Sequence, residues 1–175
     1  MSEPIALLHR LIRTIPDFPQ PGIQFKDITP ILADGDGFRA AVDLFIAQIQ
    51  DANVQKVVGI DARGFLFGAA VAYALGLGFI PVRKKGKLPW KTQHHSYTLE
   101  YGTNTVEIHE DAVSPGERVA LIDDLLATGG TASAAVNLVR QLGGEVVKAI
   151  FLIELDFLGG RKNLTGIPVT TFLQY

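Results

Sequence analysis

Cysteine is absent from the 175 residues, and methionine and tryptophan occur once each. Without thiols, disulfides and thiolate metal sites are excluded. No apolar run reaches the roughly 20 residues that span a bilayer. Residues 1–15 are interrupted by Glu3, His9, Arg10 and Arg13, so they lack the unbroken apolar stretch of a signal peptide. A basic excess is missing too. Lys and Arg number 16 against 18 Asp and Glu, a net charge of −2, whereas a general nucleic-acid binder carries a basic footprint. These absences predict a soluble, cytoplasmic chain with neither nucleic acid nor membrane as a partner.

What is present suits a compact core. Hydrophobic residues make up 47% of the chain, and the length fits about one domain, taken as residues 1–175. Ile5, Leu8, Leu11, Ile12 and Ile15 recur at helical spacing, which predicts a first helix stopped by Pro16. A Pro- and Gly-bearing connector over 16–30 follows. Phe38, Ala41, Val42, Phe45, Ile46 and Ile49 form a second helical stripe, with Asp36 as the expected N-cap. Residues 57–60 read as a β-branched strand, and 65–75 as a helix apolar nearly all round, buried between layers.

A strand over 79–82, broken towards its end by Pro81, leads into a basic, aperiodic loop over 84–96. Residues 105–109 alternate, with Val106 and Ile108 on one face, and are expected to pair antiparallel with 97–101. Residues 119–122 are a continuous apolar strand, followed by a helical stripe at Ala132, Ala135, Val136, Val139 and Leu142 that ends at Gly143-Gly144. Strands at 146–153 and 169–173 complete the alternation. Strands alternating with helices predict an α/β fold, a mostly parallel central sheet flanked by helices, with ligands beyond the carboxyl ends of the strands.

Beyond the 119–122 strand lies Asp123-Asp124-Leu125-Leu126-Ala127-Thr128-Gly129-Gly130-Thr131, opening into a helix. Gly129 and Gly130 let backbone N–H groups approach an anion, and the helix N-terminus behind them favours a phosphate. Thr128 and Thr131 add hydroxyl donors. Two carboxylates would repel a ligand that was phosphate alone. They suit one that also carries hydroxyls or a developing positive charge, such as a ribose with a divalent cation nearby. The competing reading is a turn in which Asp123 and Asp124 merely hold backbone N–H groups.

The thirteen residues Val119 to Thr131, written Val-Ala-Leu-Ile-Asp-Asp-Leu-Leu-Ala-Thr-Gly-Gly-Thr, resemble the phosphoribosyl diphosphate signature of the type I phosphoribosyltransferases. That resemblance implies that Asp123 and Asp124 contact ribose hydroxyls and that Ala127, Thr128, Gly129, Gly130 and Thr131 hold the 5-phosphate. Other phosphate motifs fail. No Gly-x-x-x-x-Gly-Lys-Ser/Thr occurs, and Gly76-Leu77-Gly78 lacks the third glycine of a dinucleotide fingerprint.

Gly59-Ile60-Asp61-Ala62-Arg63-Gly64 is a second strand-to-helix turn, where Arg63 suits phosphate oxygens or is simply a surface cation. By resemblance it is the diphosphate loop, with Arg63 as a ligand. Arg83-Lys84-Lys85-Gly86-Lys87-Leu88-Pro89 is a basic cluster that reads as a solvated loop or as a lid over a diphosphate. The family makes it a flexible loop hairpin in which Arg83, Lys84 and Lys87 serve the substrate, and Arg83 reaches a neighbouring subunit. His94 and His95 have no metal-ligand spacing and read as solvated.

The Leu99-Glu100-Tyr101-Gly102 string resembles the adenine-specific members of the family. It implies Glu100 as the group that handles the proton of the attacking base, with Tyr101 beside the substrate; a strand glutamate is the plain alternative. Residues 21–30 resemble the base-recognising hood of the same members, a small N-terminal segment over about residues 1–33. Phe25 would stack on a purine, the backbone around Gln24 and Lys26 would read its edge, and Leu126 and Leu155 would flank it. Many relatives carry a small apolar residue at position 24 and Arg at 26, so Lys26 here lacks the planar fork of a guanidinium.

The resemblance thus implies an enzyme of purine salvage that converts adenine and 5-phosphoribosyl 1-diphosphate to AMP and diphosphate. Mg²⁺ would be bound mainly through the substrate, and the assembly would be a homodimer. The alternatives are a transferase for another base and a regulator that binds the activated sugar without using it.

Overall fold

The computed structural model describes residues 2–99 and 102–175. Two compact units divide the chain, Met1–Leu44 and Phe45–Tyr175.

In the first unit, α1 (Glu3–Leu11) ends a turn earlier than its apolar spacing predicts, and β1 (Arg13–Pro16) pairs antiparallel with β2 (Gln24–Asp27). The helical stripe therefore does not run to Pro16. Ile12 is already extended, and Ile15 sits in the hairpin opposite Phe25. The connector holds this hairpin and then α2 (Thr29–Ala33). Asp27 closes it, accepting from the Arg13 guanidinium at 2.7 Å and from the N–H of Thr29 at 2.8 Å. The Thr29 hydroxyl and N–H, more than Arg13, hold the Asp27 carboxyl below its usual range despite partial burial. The α3 helix (Gly35–Ile49) is capped by Asp34 rather than Asp36. The Asp34 carboxylate accepts the N–H of Gly37 at 2.7 Å, and Asp36 lies in the first turn.

The second unit carries β3 (Lys56–Ile60), α4 (Arg63–Leu75), β4 (Gly78–Lys84), β5 (Thr92–Leu99), β6 (Gly102–His109), β7 (Arg118–Leu126), α5 (Gly130–Gln141), β8 (Glu145–Glu154) and β9 (Val169–Gln174). They build one seven-stranded sheet in the order β5-β6-β4-β3-β7-β8-β9. The five strands from β4 to β9 are parallel, and β6 and β5 extend the sheet antiparallel. This is the expected mostly parallel sheet flanked by helices.

Several boundaries differ from the expectation. Pro81 does not break β4, because β6 takes up pairing only at Arg83 and Lys84; the missing N–H at Pro81 faces no β6 partner. The loop expected over 84–96 is shorter, since β5 begins at Thr92. Residues 105–109 accordingly pair with 92–96 rather than with 97–101. Val106 and Ile108 do share a buried face. The α4 helix buries one side only: Phe67, Val71 and Ala72 are buried, whereas Tyr73 is 90% exposed and Leu66 is 45% exposed. Finally, β7 runs on through Asp123 and Asp124 to Leu126, because β8 keeps pairing as far as Glu154.

Val58, Ile60, Leu121, Ala149 and Phe151 face the layer that contains α5. The alternate positions on the strands point to the other side, where Phe67 of α4 meets Phe45 with ring centroids 5.4 Å apart. From β3 the chain crosses through α4 to β4, and from β7 through α5 to β8, in opposite directions along the sheet. Right-handed crossovers in opposite directions place the two helices on opposite faces. The loops after β3 and β7 diverge, which opens a crevice at the carboxyl ends of these neighbouring strands.

Candidate active site

A cavity of about 250 Å³ occupies that crevice, bounded by residues 60–63 after β3 and 123–132 after and within the end of β7. Gly129 opens α5 with φ +79°, a left-handed geometry that favours glycine. A side chain there would also collide with the backbone oxygen of Gly160. Residues 127–131 therefore wrap the N-terminus of a twelve-residue helix, whose unpaired N–H groups and partial positive charge face the cavity.

The two acids occupy the cavity floor. Asp124 is 5% exposed and pairs with the Arg63 guanidinium at 2.8 Å. Asp123 accepts the N–H of Asp124 at 2.9 Å, and its oxygen lies where a Cβ on Gly64 would come within 2.6 Å. Glycine at 64 is what lets the start of α4 approach this carboxylate. Burial, and then the negative charge of Asp124, push Asp123 well above the ordinary carboxylate range. Burial also raises Asp124, and Arg63 offsets only part of the effect. For both groups burial outweighs the interactions that favour ionisation, so hydroxyl donors or a cationic ligand would be welcome there.

The structure gathers Arg63, Asp123, Asp124, Leu126, Ala127, Thr128, Gly129, Gly130 and Thr131 around one space. Leu126 contributes at the cavity base while its side chain belongs to the apolar core. Its carbonyl accepts the N–H of Leu155 at 2.9 Å. A second cavity of about 400 Å³ is lined by Asp61, Lys84, Lys85, Tyr97, Asn104 and Thr131, among others. Asp61 and Thr131 line both. Arg83 lies 3.0 Å from the Asp61 carboxylate and 3.1 Å from the Lys87 carbonyl. Lys87 donates its backbone N–H to Glu107 at 2.9 Å. Gln24, Phe25 and Lys26 lie on β2 of the first unit, where Phe25 meets Phe18 edge-on and the Lys26 amine donates to the Thr14 hydroxyl. Glu100 and Tyr101 fall outside the described residues.

Sequence reading missed the outer wall of the cradle. Gly160 presses on Ala127 and Gly129 so closely that a Cβ would clash with the Ala127 oxygen. Asn163 donates to the Thr128 carbonyl at 2.7 Å. This wall hangs from Glu154, 1% exposed, which accepts both Arg161 Nε at 2.8 Å and the Thr171 hydroxyl at 2.9 Å. Only the Gly159-Gly160 pair was a local signal of it. His94 is exposed as expected, but His95 is half-buried, with Nε2 3.4 Å from the Asn137 amide.

Residues 31–167 match the family model described as phosphoribosyl transferase domain. The chain belongs to this family. The adenine phosphoribosyltransferase of Desulfitobacterium hafniense is 55% identical over 166 residues, 95% of this chain and 96% of that one. The adenine phosphoribosyltransferase of Methylobacillus flagellatus is 58% identical over 162 residues, covering 93% of this chain and 92% of its own. Among solved phosphoribosyltransferases, the adenine enzyme of Rhodothermus marinus superposes with a TM-score of 0.93 at 53% identity, covering 98% of both chains. The enzyme of Saccharomyces cerevisiae, solved with an imino-altritol bisphosphate and adenine, gives 0.94 at 39% identity, covering 98% of this chain and 99% of that one.

Proposed function

We infer that the chain is an adenine phosphoribosyltransferase, converting adenine and 5-phosphoribosyl 1-diphosphate to AMP and diphosphate. The observation that carries this reading is the pairing, in one cavity, of a glycine-lined helix N-terminus with two neighbouring carboxylates. The relatives named above, at 39–58% identity, support adenine as the base.

In this reading residues 127–131 hold the 5-phosphate through backbone N–H groups and the Thr128 and Thr131 hydroxyls. Asp123 and Asp124 accept the ribose 2- and 3-hydroxyls. The C1–O bond breaks with its electron pair leaving on diphosphate, whose charge Arg63, Lys84 and Lys87 balance, with Arg83 bracing the turn at Asp61. Positive charge develops at C1 and the ring oxygen, and the neighbouring carboxylates stabilise it. Purine N9 forms the new bond to C1. Its surplus proton passes to Glu100, with Tyr101 alongside. Phe25 stacks on the base, the backbone at Gln24 and Lys26 reads its edge, and Leu126 and Leu155 flank it.

Mg²⁺ fits as an ion carried by the substrate. Among the described residues no group of three or more His, Asp or Glu side chains could hold it alone. The Asp123 and Asp124 carboxylates would accept hydrogen bonds from its waters. Bound there, it would neutralise diphosphate charge. The proposal includes a homodimer in the cytoplasm, on the strength of the family resemblance.

The test is to incubate the purified chain with phosphoribosyl diphosphate, Mg²⁺ and a panel of adenine, hypoxanthine, guanine, xanthine and orotate. AMP formation in clear preference is expected. Preference for another base would overturn the adenine assignment, and binding of the sugar without turnover on any base would make the chain a regulator.

A further inference from the structure

We propose that Tyr97 is a positioning residue of the phosphate cradle, acting through Thr131. This rests on the reading above that residues 127–131 grip a phosphate. Tyr97 lies on β5, remote in sequence from the cradle, yet its hydroxyl is 2.7 Å from Thr131 Oγ1. Its ring covers Gly130 so closely that a Cβ at that position would come within 2.9 Å of it. The half-buried ring packs against the same core as α5.

Thr131 stands in the wall shared by the two cavities and carries one hydroxyl proton. If that proton turned towards Tyr97, the cradle would lose a donor. The tyrosine hydroxyl can donate instead, so that Thr131 Oγ1 accepts from it and commits its own proton to a phosphate oxygen. An acceptor that is also donating to an anion is polarised, so the two bonds strengthen each other. Tyr97 therefore orders a donor without touching the ligand. The second tie from β5 to α5, between His95 and Asn137, holds the strand in place for this.

Tyr97→Phe keeps the ring over Gly130 and removes only the hydroxyl. Calorimetric titration with AMP and with adenosine separates the phosphate contribution from the rest. The substitution is expected to weaken AMP about five- to ten-fold, as for one net hydrogen bond between neutral groups. Adenosine affinity and thermal midpoint should stay near wild type, and KM for phosphoribosyl diphosphate should rise more than kcat falls. Thr131→Val should weaken AMP at least as much, and adding Tyr97→Phe to it should cost nothing further. Unchanged AMP affinity in Tyr97→Phe, equal losses for AMP and adenosine, or losses that multiply in the double variant would overturn the proposal. A wild-type protein that binds AMP no better than adenosine would sink the cradle reading itself, and Tyr97 with it.

Discussion

Glu107 and Glu154 are buried acids whose demands the fold has met, whereas Asp123 and Asp124 are enclosed acids whose demands it has left open. Burial pushes Glu107 upward, but the N–H groups of Leu88, Gly86 and Lys87 and the Thr92 hydroxyl outweigh it and leave the carboxyl below its usual range. Glu154 likewise overcomes its burial through Arg161, Thr171 and Gln174. The Asp pair has the Arg63 guanidinium, the Asp124 N–H and a hydrogen bond between its own side chains, yet burial outweighs them and both members are raised. Glu107 ties down the turn at 86–88, and Glu154 supports the wall of the cradle. The acids held below their usual range build; the raised pair faces the cavity.

The contrast breaks most visibly at Asp124. Asp124→Asn should lower kcat/KM by about 10²–10³-fold, the scale of losing one electrostatic group at a reaction centre. Its melting midpoint should move little, since the amide keeps the shape and removes a charge that burial already disfavours. Steady-state kinetics beside a thermal melt will show it, and equal losses in both would return Asp124 to a structural role.

Glu154→Ala should do the reverse. Removing a buried carboxylate from a partly exposed Arg161 should cost about 2–3 kcal/mol, somewhat less than a fully buried pair. For a chain of this size that is a fall of roughly 4–12 °C in midpoint, read by calorimetry. AMP should also bind more weakly, because Gly160 and Asn163 lose their anchor.

Asp123→Asn sharpens the comparison from the other side. The amide keeps an oxygen for the N–H of Asp124 and removes a carboxylate that is costly to ionise. The ligand-free variant should melt higher by about 2–4 °C, equivalent to about 1 kcal/mol, while losing activity.

The smallest effect lies in the pH dependence. A lowered acid contributes stability above its unfolded value near 4.5, lost as pH falls through the lower folded value. A raised acid destabilises the fold above its folded value and is relieved as pH falls through it towards 3.8. The ligand-free protein should therefore gain stability as pH falls through the raised values, then lose it below about 4.5. Asp123→Asn should flatten the rise and keep the fall. Fluorimetric melts across that range will separate the two limbs, and an unchanged rise in the variant would contradict the assignment.

What could be read in advance was what is contiguous. Asp123 to Thr131 are neighbours in the chain, so one stretch displays the acids, the glycines and the helix start together. The alternation of apolar runs likewise displays the parallel sheet. The rest depends on distant pairing. Nothing near Thr131 announces Tyr97, thirty-four residues away. Likewise Gly160 gains its meaning only once β8 returns the chain beside Gly129. Local rules also misjudged places where tertiary pairing outranks them. Ile15 fits a helical stripe but lies opposite Phe25 in a hairpin, and Pro81 looks like a breaker but sits where β6 asks for no N–H.

A crystal structure with AMP is the most direct measurement. The 5-phosphate should lie on the N–H groups of residues 127–131, with the ribose hydroxyls on Asp123 and Asp124. A nucleotide bound elsewhere, with that turn empty, would contradict the account.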